Sequence, residues 1–122
     1  MRFTQDLSSN VNVIRGYGRG ELRVNGEVFH NALIVAASAI RPEPALADVA
    51  DLAMEHAARI LELDPELVLV GTGQRQVFPA AAFGAQFLKS GIGFEVMDTG
   101  AACRTFNVLV NEQRRVVALL ML

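Results

Sequence analysis

The sequence has few of the residues on which disulfide scaffolds and metal sites depend. It contains one cysteine, two histidines and no tryptophan among 122 residues. Cys103 has no partner for an internal disulfide, which favours a reducing, cytoplasmic setting. His30 and His56 are far apart in sequence and belong to no clustered spacing such as His-Glu-x-x-His, so we expect no metal and no other cofactor.

Charge of one sign and long apolar runs are also missing. Lysine and arginine together number 11, aspartate and glutamate number 13, and the formal net charge is -2. Because there is no basic field, we expect no nucleic-acid partner. The longest apolar run, Val116–Leu122, is far shorter than the roughly 20 residues of a membrane-spanning helix, so no span is predicted. Residues 1–6 also lack the apolar core of a signal peptide.

The composition that remains is that of a globular protein, with 52% apolar and 20% charged residues. It predicts a single domain over residues 1–122. Near the N-terminus, apolar and polar residues alternate around glycines, and Asn25-Gly26 is a strong turn signal, so short strands and a β hairpin are expected. Leu33–Ala36 predicts a further strand, and two prolines make Arg41–Ala45 an extended connector.

After this connector the apolar periodicity predicts helices and strands in alternation. The helices are expected at 48–63, at 79–90 and from Thr99 onward, and the strands at 67–70, 94–97 and 115–122. Such alternation favours right-handed crossovers around a mixed, largely parallel sheet. The predicted fold class is therefore α/β, with the N-terminal hairpin as an added β layer.

The polar residues of greatest interest lie where two predicted strands end. Ligands of open α/β sheets collect at the carboxyl ends of the strands, so 71–76 and 98–104 are expected at one rim. Asp98 or Thr99 falls at the N-cap of the last helix. Asp98 and Arg104 either form an internal ion pair or offer charge to a ligand or partner. The candidate binding residues are Gly71, Thr72, Gly73, Arg75, Asp98, Thr99, Cys103, Arg104 and Asn107.

None of these residues is assigned a catalytic role. The glycines around Thr72 lack the third glycine of a dinucleotide fingerprint and the Gly-Lys-Ser/Thr of a P-loop. A tight turn is therefore favoured there, with an anion bound jointly by Arg75 and Arg104 as the alternative. Cys103 lies near a predicted helix start, which lowers a thiol pKa, but no histidine is nearby in sequence. A small buried hydrophobe is favoured over a nucleophile.

Two blocks of sequence carry a family resemblance. They are Val70-Gly-Thr-Gly-Gln-Arg-Gln-Val-Phe-Pro79 and the segment Gly91–Asn107, and the Gly-Tyr-Gly motif at Gly16–Gly18 joins them. On these residues the chain resembles a domain-of-unknown-function family that includes mitochondrial complex I assembly factor 3 and the adipogenesis-associated protein built on the same domain. The resemblance covers nearly the whole chain. It implies three layers around a mixed sheet of about five strands, the last of them antiparallel.

Two functions remain open at this point. The resemblance implies a non-enzymatic binding or assembly module, with respiratory-complex subunits or assembly machinery as protein partners, and it supplies no catalytic residues. The alternative is a small-molecule or anion site at the rim, with or without enzymatic activity. Tyr17 either packs over the N-terminal layer or lines a pocket. The apolar composition also leaves room for a homodimer interface.

Overall fold

A computed structural model describes residues 11–122 of the protein. Residues 1–10, for which we expected no signal peptide, lie outside this range. The strands are β1 (Ile14–Gly18), β2 (Glu21–Val24), β3 (Glu27–Phe29), β4 (Ala32–Ala36), β5 (Ala39–Glu43), β6 (Leu67–Thr72), β7 (Gly93–Met97) and β8 (Val116–Met121). The α-helices are α1 (Met54–Leu61), α2 (Ala81–Leu88) and α3 (Thr99–Asn111).

The larger sheet contains five strands in the order β5-β4-β8-β6-β7. Strand β6 is parallel to both β7 and β8, whereas β4 is antiparallel to β8 and to β5. This confirms the predicted mixed, largely parallel α/β sheet. The last strand was expected to be antiparallel. Strand β8 is antiparallel to β4 and parallel to β6. The connections through α2 and α3 run in opposite directions across the sheet, which places the two helices on opposite faces.

The last strand separates two cores, because successive side chains of a strand point to opposite faces. Ala118 and Leu120 belong to the core that contains α3, whereas Leu119 and Met121 belong to the core that contains α1 and α2. All four are buried. The almost wholly apolar C-terminal segment is thus a strand covered on both sides, as predicted.

The smaller sheet, with the order β1-β2-β3, packs through β1 against one flank of α3. Its strands are antiparallel, and Asn25, with φ 56°, takes the left-handed conformation in the turn between β2 and β3. Leu22 and Val24 are fully buried in the same core as Phe106 of α3. The predicted N-terminal β layer is confirmed.

Two segments differ from the predictions. Most of the expected connector Arg41–Ala45 is the strand β5, and Pro42 is tolerated there because β5 lies at the edge of the sheet. The helix predicted over 48–63 is divided into a 3₁₀ turn at Val49–Asp51 and α1, which begins at Met54. Asp48 caps the short turn, since its Oδ1 accepts a hydrogen bond from Ala50 N at 3.2 Å.

Candidate functional site

The two loops that were expected to share a rim meet at Thr99, which is fully buried. The Thr99 hydroxyl donates a hydrogen bond to Met121 O at 2.6 Å and accepts one from Gly73 N at 2.7 Å. The backbone N–H of Thr99 donates to Gly73 O at 2.8 Å. One side chain therefore ties the ends of β6 and β8 to the start of α3.

The neighbouring Thr72 is also buried and also satisfied within the protein. Its hydroxyl lies 2.5 Å from Arg75 O and 3.3 Å from Met97 O as a donor, and it accepts from Val77 N at 3.0 Å. Gly71 packs against α3 so closely that an added Cβ would lie 2.9 Å from the Cα of Thr99. These residues close the turn after β6, as the sequence favoured, and the hydroxyl protons of Thr72 and Thr99 are both donated to backbone carbonyls of the protein.

Asp98 is the N-cap of α3, because its Oδ1 accepts from Ala101 N at 2.9 Å. Although both residues are described, Asp98 and Arg104 form no ion pair with each other, so that expectation was wrong. The two charged groups nevertheless lie on either side of Gly100, since a Cβ added there would be 3.4 Å from Asp98 Oδ1 and 3.5 Å from Arg104 Nη1. The Arg104 side chain remains exposed.

A groove of about 290 Å³ lies between β1 and α3, and we call it the β1–α3 groove. Its walls include Arg15, Gly16 and Tyr17 from β1 and Gly100, Cys103, Arg104 and Asn107 from α3. Sequence reasoning found the last three of these but missed Arg15 and both glycines. Tyr17 fulfils both roles that were left open, since it lines the groove and packs against the core beneath α3.

Asn107 holds one wall of this groove to the other. Its Oδ1 accepts from Ile14 N at 2.9 Å, and its Nδ2 donates to Ile14 O at 2.8 Å. The side-chain amide thus bonds to a β1 residue as a neighbouring strand would. Arg75, by contrast, is exposed in the turn after β6 and does not line the groove. The structure does not bring Arg75 and Arg104 together in one pocket.

Burial disfavours the ionisation of Cys103 and Tyr17, which both line the groove. Cys103 is 7% exposed, and burial raises the pKa of its thiol to about 11, against a smaller lowering by Arg104 and a further small rise from Asp98. Burial also raises the pKa of the Tyr17 hydroxyl, and nearby Cys103 adds to this effect. Both groups are protonated at neutral pH, so Cys103 lies in the core as an apolar residue rather than as a thiolate nucleophile.

A second feature, which the sequence did not reveal, is an apolar surface over α2 and the edge strand β7. Phe78 is 71% exposed, Leu88 60% and Val77 45%. A groove of about 370 Å³ is lined by Phe78 and Leu88 and, on its β7 side, by Phe94 and Val96. We call these five residues the α2 surface. Below it the rings of Phe87 and Phe94 stack with centroids 5.6 Å apart.

Residues 11–122 contain no cluster of metal ligands and no helix that could span a membrane. In that range no three His, Cys, Asp or Glu side chains gather in a way that could hold a metal ion. His56 is buried, and its Nδ1 accepts from Ala53 N at 2.9 Å at the start of α1. No helix in the same range has both the length and the apolar character needed to cross a bilayer.

Residues 14–121 match the model of a protein family described as protein of unknown function (DUF498/DUF598). The chain belongs to the DUF498/DUF598 family. A relative from Francisella tularensis subsp. holarctica, named 13 kDa major membrane protein, is 33% identical over 101 residues, which is 82% of each chain. The chain is also similar to NADH dehydrogenase [ubiquinone] 1 alpha subcomplex assembly factor 3 of Danio rerio, with 31% identity over 118 residues. That match covers 95% of this chain and 67% of the relative.

Solved structures agree with the DUF498/DUF598 assignment. The crystal structure of a Bordetella parapertussis protein superposes with a TM-score of 0.84 and 36% sequence identity. The match covers 91% of this chain and 95% of the Bordetella chain. Together with the family match, it bears out the resemblance inferred from Val70–Pro79, Gly91–Asn107 and the Gly16–Gly18 motif.

Proposed function

We propose that this DUF498/DUF598 protein is a non-enzymatic binding module that takes part in the assembly of a respiratory complex in the cytoplasm. Its partner is an apolar segment of a respiratory-complex subunit or of the assembly machinery, and the binding site is the α2 surface. The similarity to a protein named as an NADH dehydrogenase assembly factor supports the class of partner. The exposed apolar side chains support the place of contact.

The observation that carries this proposal is the exposure of Phe78 at the mouth of the α2 groove. A surface helix normally directs charged or polar residues outward. The α2 sequence Ala-Ala-Phe-Gly-Ala-Gln-Phe-Leu has no charged residue, and Leu88 is 60% exposed at its end. Contiguous apolar patches with an aromatic side chain are typical of protein interfaces.

The polar residues of the rim favour binding over catalysis. The hydroxyls of Thr72 and Thr99 are used in hydrogen bonds within the protein, and Asp98 caps a helix. The Cys103 thiol has a pKa of about 11. A general base or nucleophile needs a pKa closer to the operating pH than this.

The test is a quantitative affinity purification from cells that express tagged variants in place of the normal protein. We expect the original chain to recover respiratory-complex subunits or their assembly machinery. Leu88→Gln and Phe78→Ser should reduce that recovery at least tenfold, since buried aromatic and apolar anchors typically contribute more than 1.4 kcal/mol each. Val108→Gln is the matched control, because Val108 is 57% exposed on α3, outside the α2 surface.

Three results would contradict the proposal. The first is undiminished recovery with Leu88→Gln and Phe78→Ser, and the second is an equal loss with Val108→Gln. The third is the absence of any respiratory-complex component from the purified material. Light scattering on the purified chain adds a further arm, because a dimer that Leu88→Gln converts to a monomer would assign the α2 surface to a second copy of this chain.

A further inference from the structure

The β1–α3 groove is a separate feature that the proposed function does not use. A β-bulge interrupts β1, since Ile14 pairs with Val24 while Gly16 pairs with Arg23. Arg15 is therefore the extra residue on the bulged strand. Bulges redirect a side chain and are common beside binding sites.

The spacing between the walls of the groove is held by the Asn107 side chain. Its two hydrogen bonds to Ile14 fix the backbone immediately before the bulge to the middle of α3. Arg15 thus follows directly after an anchored residue, and Arg104 lies on the facing helix. A site whose walls are regular elements joined by hydrogen bonds is arranged before a ligand arrives.

The charge in this groove is not balanced by ion pairs. Within residues 11–122, neither Arg15 nor Arg104 forms an ion pair, and both are exposed. The carboxylate nearest to Arg104 along α3 belongs to Asp98, which caps the helix through one oxygen. A guanidinium presents a planar fork of donors that matches a carboxylate or a phosphate.

Gly100 keeps the base of the groove open. A Cβ added there would lie 3.4 Å from Asp98 Oδ1, 3.5 Å from Arg104 Nη1 and 3.9 Å from Tyr17 Cδ2. These are ordinary contact distances, so alanine would be accommodated but would occupy space between the three side chains. The Tyr17 ring supplies an apolar wall beside the charged groups.

A second hollow of about 250 Å³ continues from this groove along β1 and β2. It shares Gly16 and Tyr17 with the first and adds Arg19, Glu21 and Arg23. Arg23 is 4.0 Å from Glu21, whereas Arg19 forms no ion pair within the described residues. The positive character of the groove therefore extends beyond its two walls.

We infer that the β1–α3 groove binds a small organic anion through a carboxylate or phosphate group held between Arg15 and Arg104. Its volume of about 290 Å³ is near the lower end of the range of small-molecule sites. The Tyr17 ring packs against the apolar part of the ligand. This site is independent of the α2 surface, which lies on the opposite face of the five-stranded sheet.

The test is a titration of the labelled protein, with inorganic phosphate in one arm and succinate in the other. Binding is monitored through the amide chemical shifts. Sodium chloride keeps the ionic strength constant. We expect saturable shifts confined to the residues around Arg15, Gly100 and Arg104. The arm that saturates at the lower concentration identifies phosphate or carboxylate as the preferred group.

Variants then test which arginines hold the anion. Arg15→Gln and Arg104→Gln should each weaken binding about tenfold, as expected for the loss of a charge-assisted hydrogen bond. Gly100→Ala should weaken binding without removing a charge. Arg75→Gln is the matched control, since Arg75 is also an exposed arginine without an ion pair in residues 11–122 but lies outside the groove. It should leave the affinity unchanged.

Each other outcome would overturn the inference. Shifts that fail to saturate, or that spread evenly over the exposed arginines, would show screening of surface charge only. An equal loss of affinity with Arg75→Gln would place the anion at the loop after β6 instead. An absence of shifts in both arms would remove the site. A well-dispersed spectrum of each variant verifies that it is folded.

Discussion

The helices α2 and α3 are both connections between strands of the five-stranded sheet, but they differ in how much of their surface the rest of the protein covers. Each connects two strands of the five-stranded sheet and packs one face on that sheet. One flank of α3 is covered by β1, to which Asn107 bonds, whereas Phe78 and Leu88 beside α2 remain exposed. The three-stranded sheet thus covers one flank of α3, and for α2 we assign the corresponding cover to a partner protein.

The largest effect that distinguishes the two helices is expected at the buried start of α3. Thr99→Val removes the hydroxyl that bonds to Met121 O and Gly73 N. Leaving two buried polar groups unpaired should lower the free energy of unfolding by about 2 to 5 kcal/mol. Chemical denaturation measures this change. Thr99→Ser is the control, since it keeps the hydroxyl, and an equal loss in both variants would refute the hydrogen-bond explanation.

Alkaline pH should lower the stability of the protein through the buried thiol of Cys103 on α3. The pKa of Cys103 is raised from 9.0 to about 11 in the folded protein, so the folded state binds this proton more tightly than the unfolded state does. The resulting stabilisation is present below pH 9.0 and is lost as the pH rises toward about 11. The loss amounts to at most about 3 kcal/mol.

The pH dependence of the unfolding free energy tests this prediction. Cys103→Ala should flatten the decline above pH 9.0, the unperturbed value of the thiol. Tyr17 remains in both proteins, and its pKa should be raised less in the variant, because Cys103 contributes part of that rise. An unchanged slope in the variant would show that the thiol does not titrate as inferred. The α2 helix, Ala81–Leu88, contains no titratable side chain and cannot contribute.

Substitutions of Gly71 and Gly84 by alanine compare the α3 side of the sheet with the α2 side. A Cβ at Gly71 would meet the Cα of Thr99 at 2.9 Å, and backbone atoms of a packed helix cannot easily shift. A Cβ at Gly84 would meet the ring of Phe94 at 2.7 Å, but that ring borders the open α2 groove and can turn into it.

We therefore expect Gly71→Ala to cost about 2 kcal/mol of unfolding free energy, in the range of an overpacked core. Gly84→Ala should cost less than about 1 kcal/mol, because alanine favours a helix over glycine by about that amount. Thermal or denaturant unfolding of the two variants side by side gives the comparison. Equal costs would mean that the α2 side is as rigid as the α3 side.

The smallest effect on stability is expected at the α2 surface itself. Leu88 is 60% exposed, so Leu88→Gln should change the unfolding free energy by no more than about 0.5 kcal/mol. Val108→Gln, on α3, should behave in the same way. A loss of several kcal/mol at Leu88 would indicate a structural role, and the loss of binding proposed for that variant would then need another explanation.

Much of the fold could be predicted from local patterns. The turn signal at Asn25-Gly26 and the apolar runs at Leu67–Val70 and Val116–Leu122 predicted elements that the structure contains. The N-cap at Asp98 was also predictable, because capping depends on residues three positions apart. The strand β5 was missed, because two prolines argue against a strand unless its edge position is known.

The candidate site was predicted only in part, because local sequence patterns do not show how distant segments pack together. The meeting of the loops after β6 and β7 follows from the parallel topology, and Cys103, Arg104 and Asn107 were placed correctly on one helix. The expected pairing of Asp98 with Arg104 was wrong, since closeness in sequence did not bring the two charges into contact. Arg15 could not be found, because its bulge depends on the register between β1 and β2.

The sequence by itself determined the α/β class, most of the order of the strands and helices along the chain, and the cap of α3, because these depend on interactions over a few residues. Only the tertiary structure decided which helix is covered and which is left exposed. It did so through contacts such as Asn107 with Ile14, whose partners are 93 positions apart. The identity of such distant partners depends on how whole layers pack, and no local pattern encodes it.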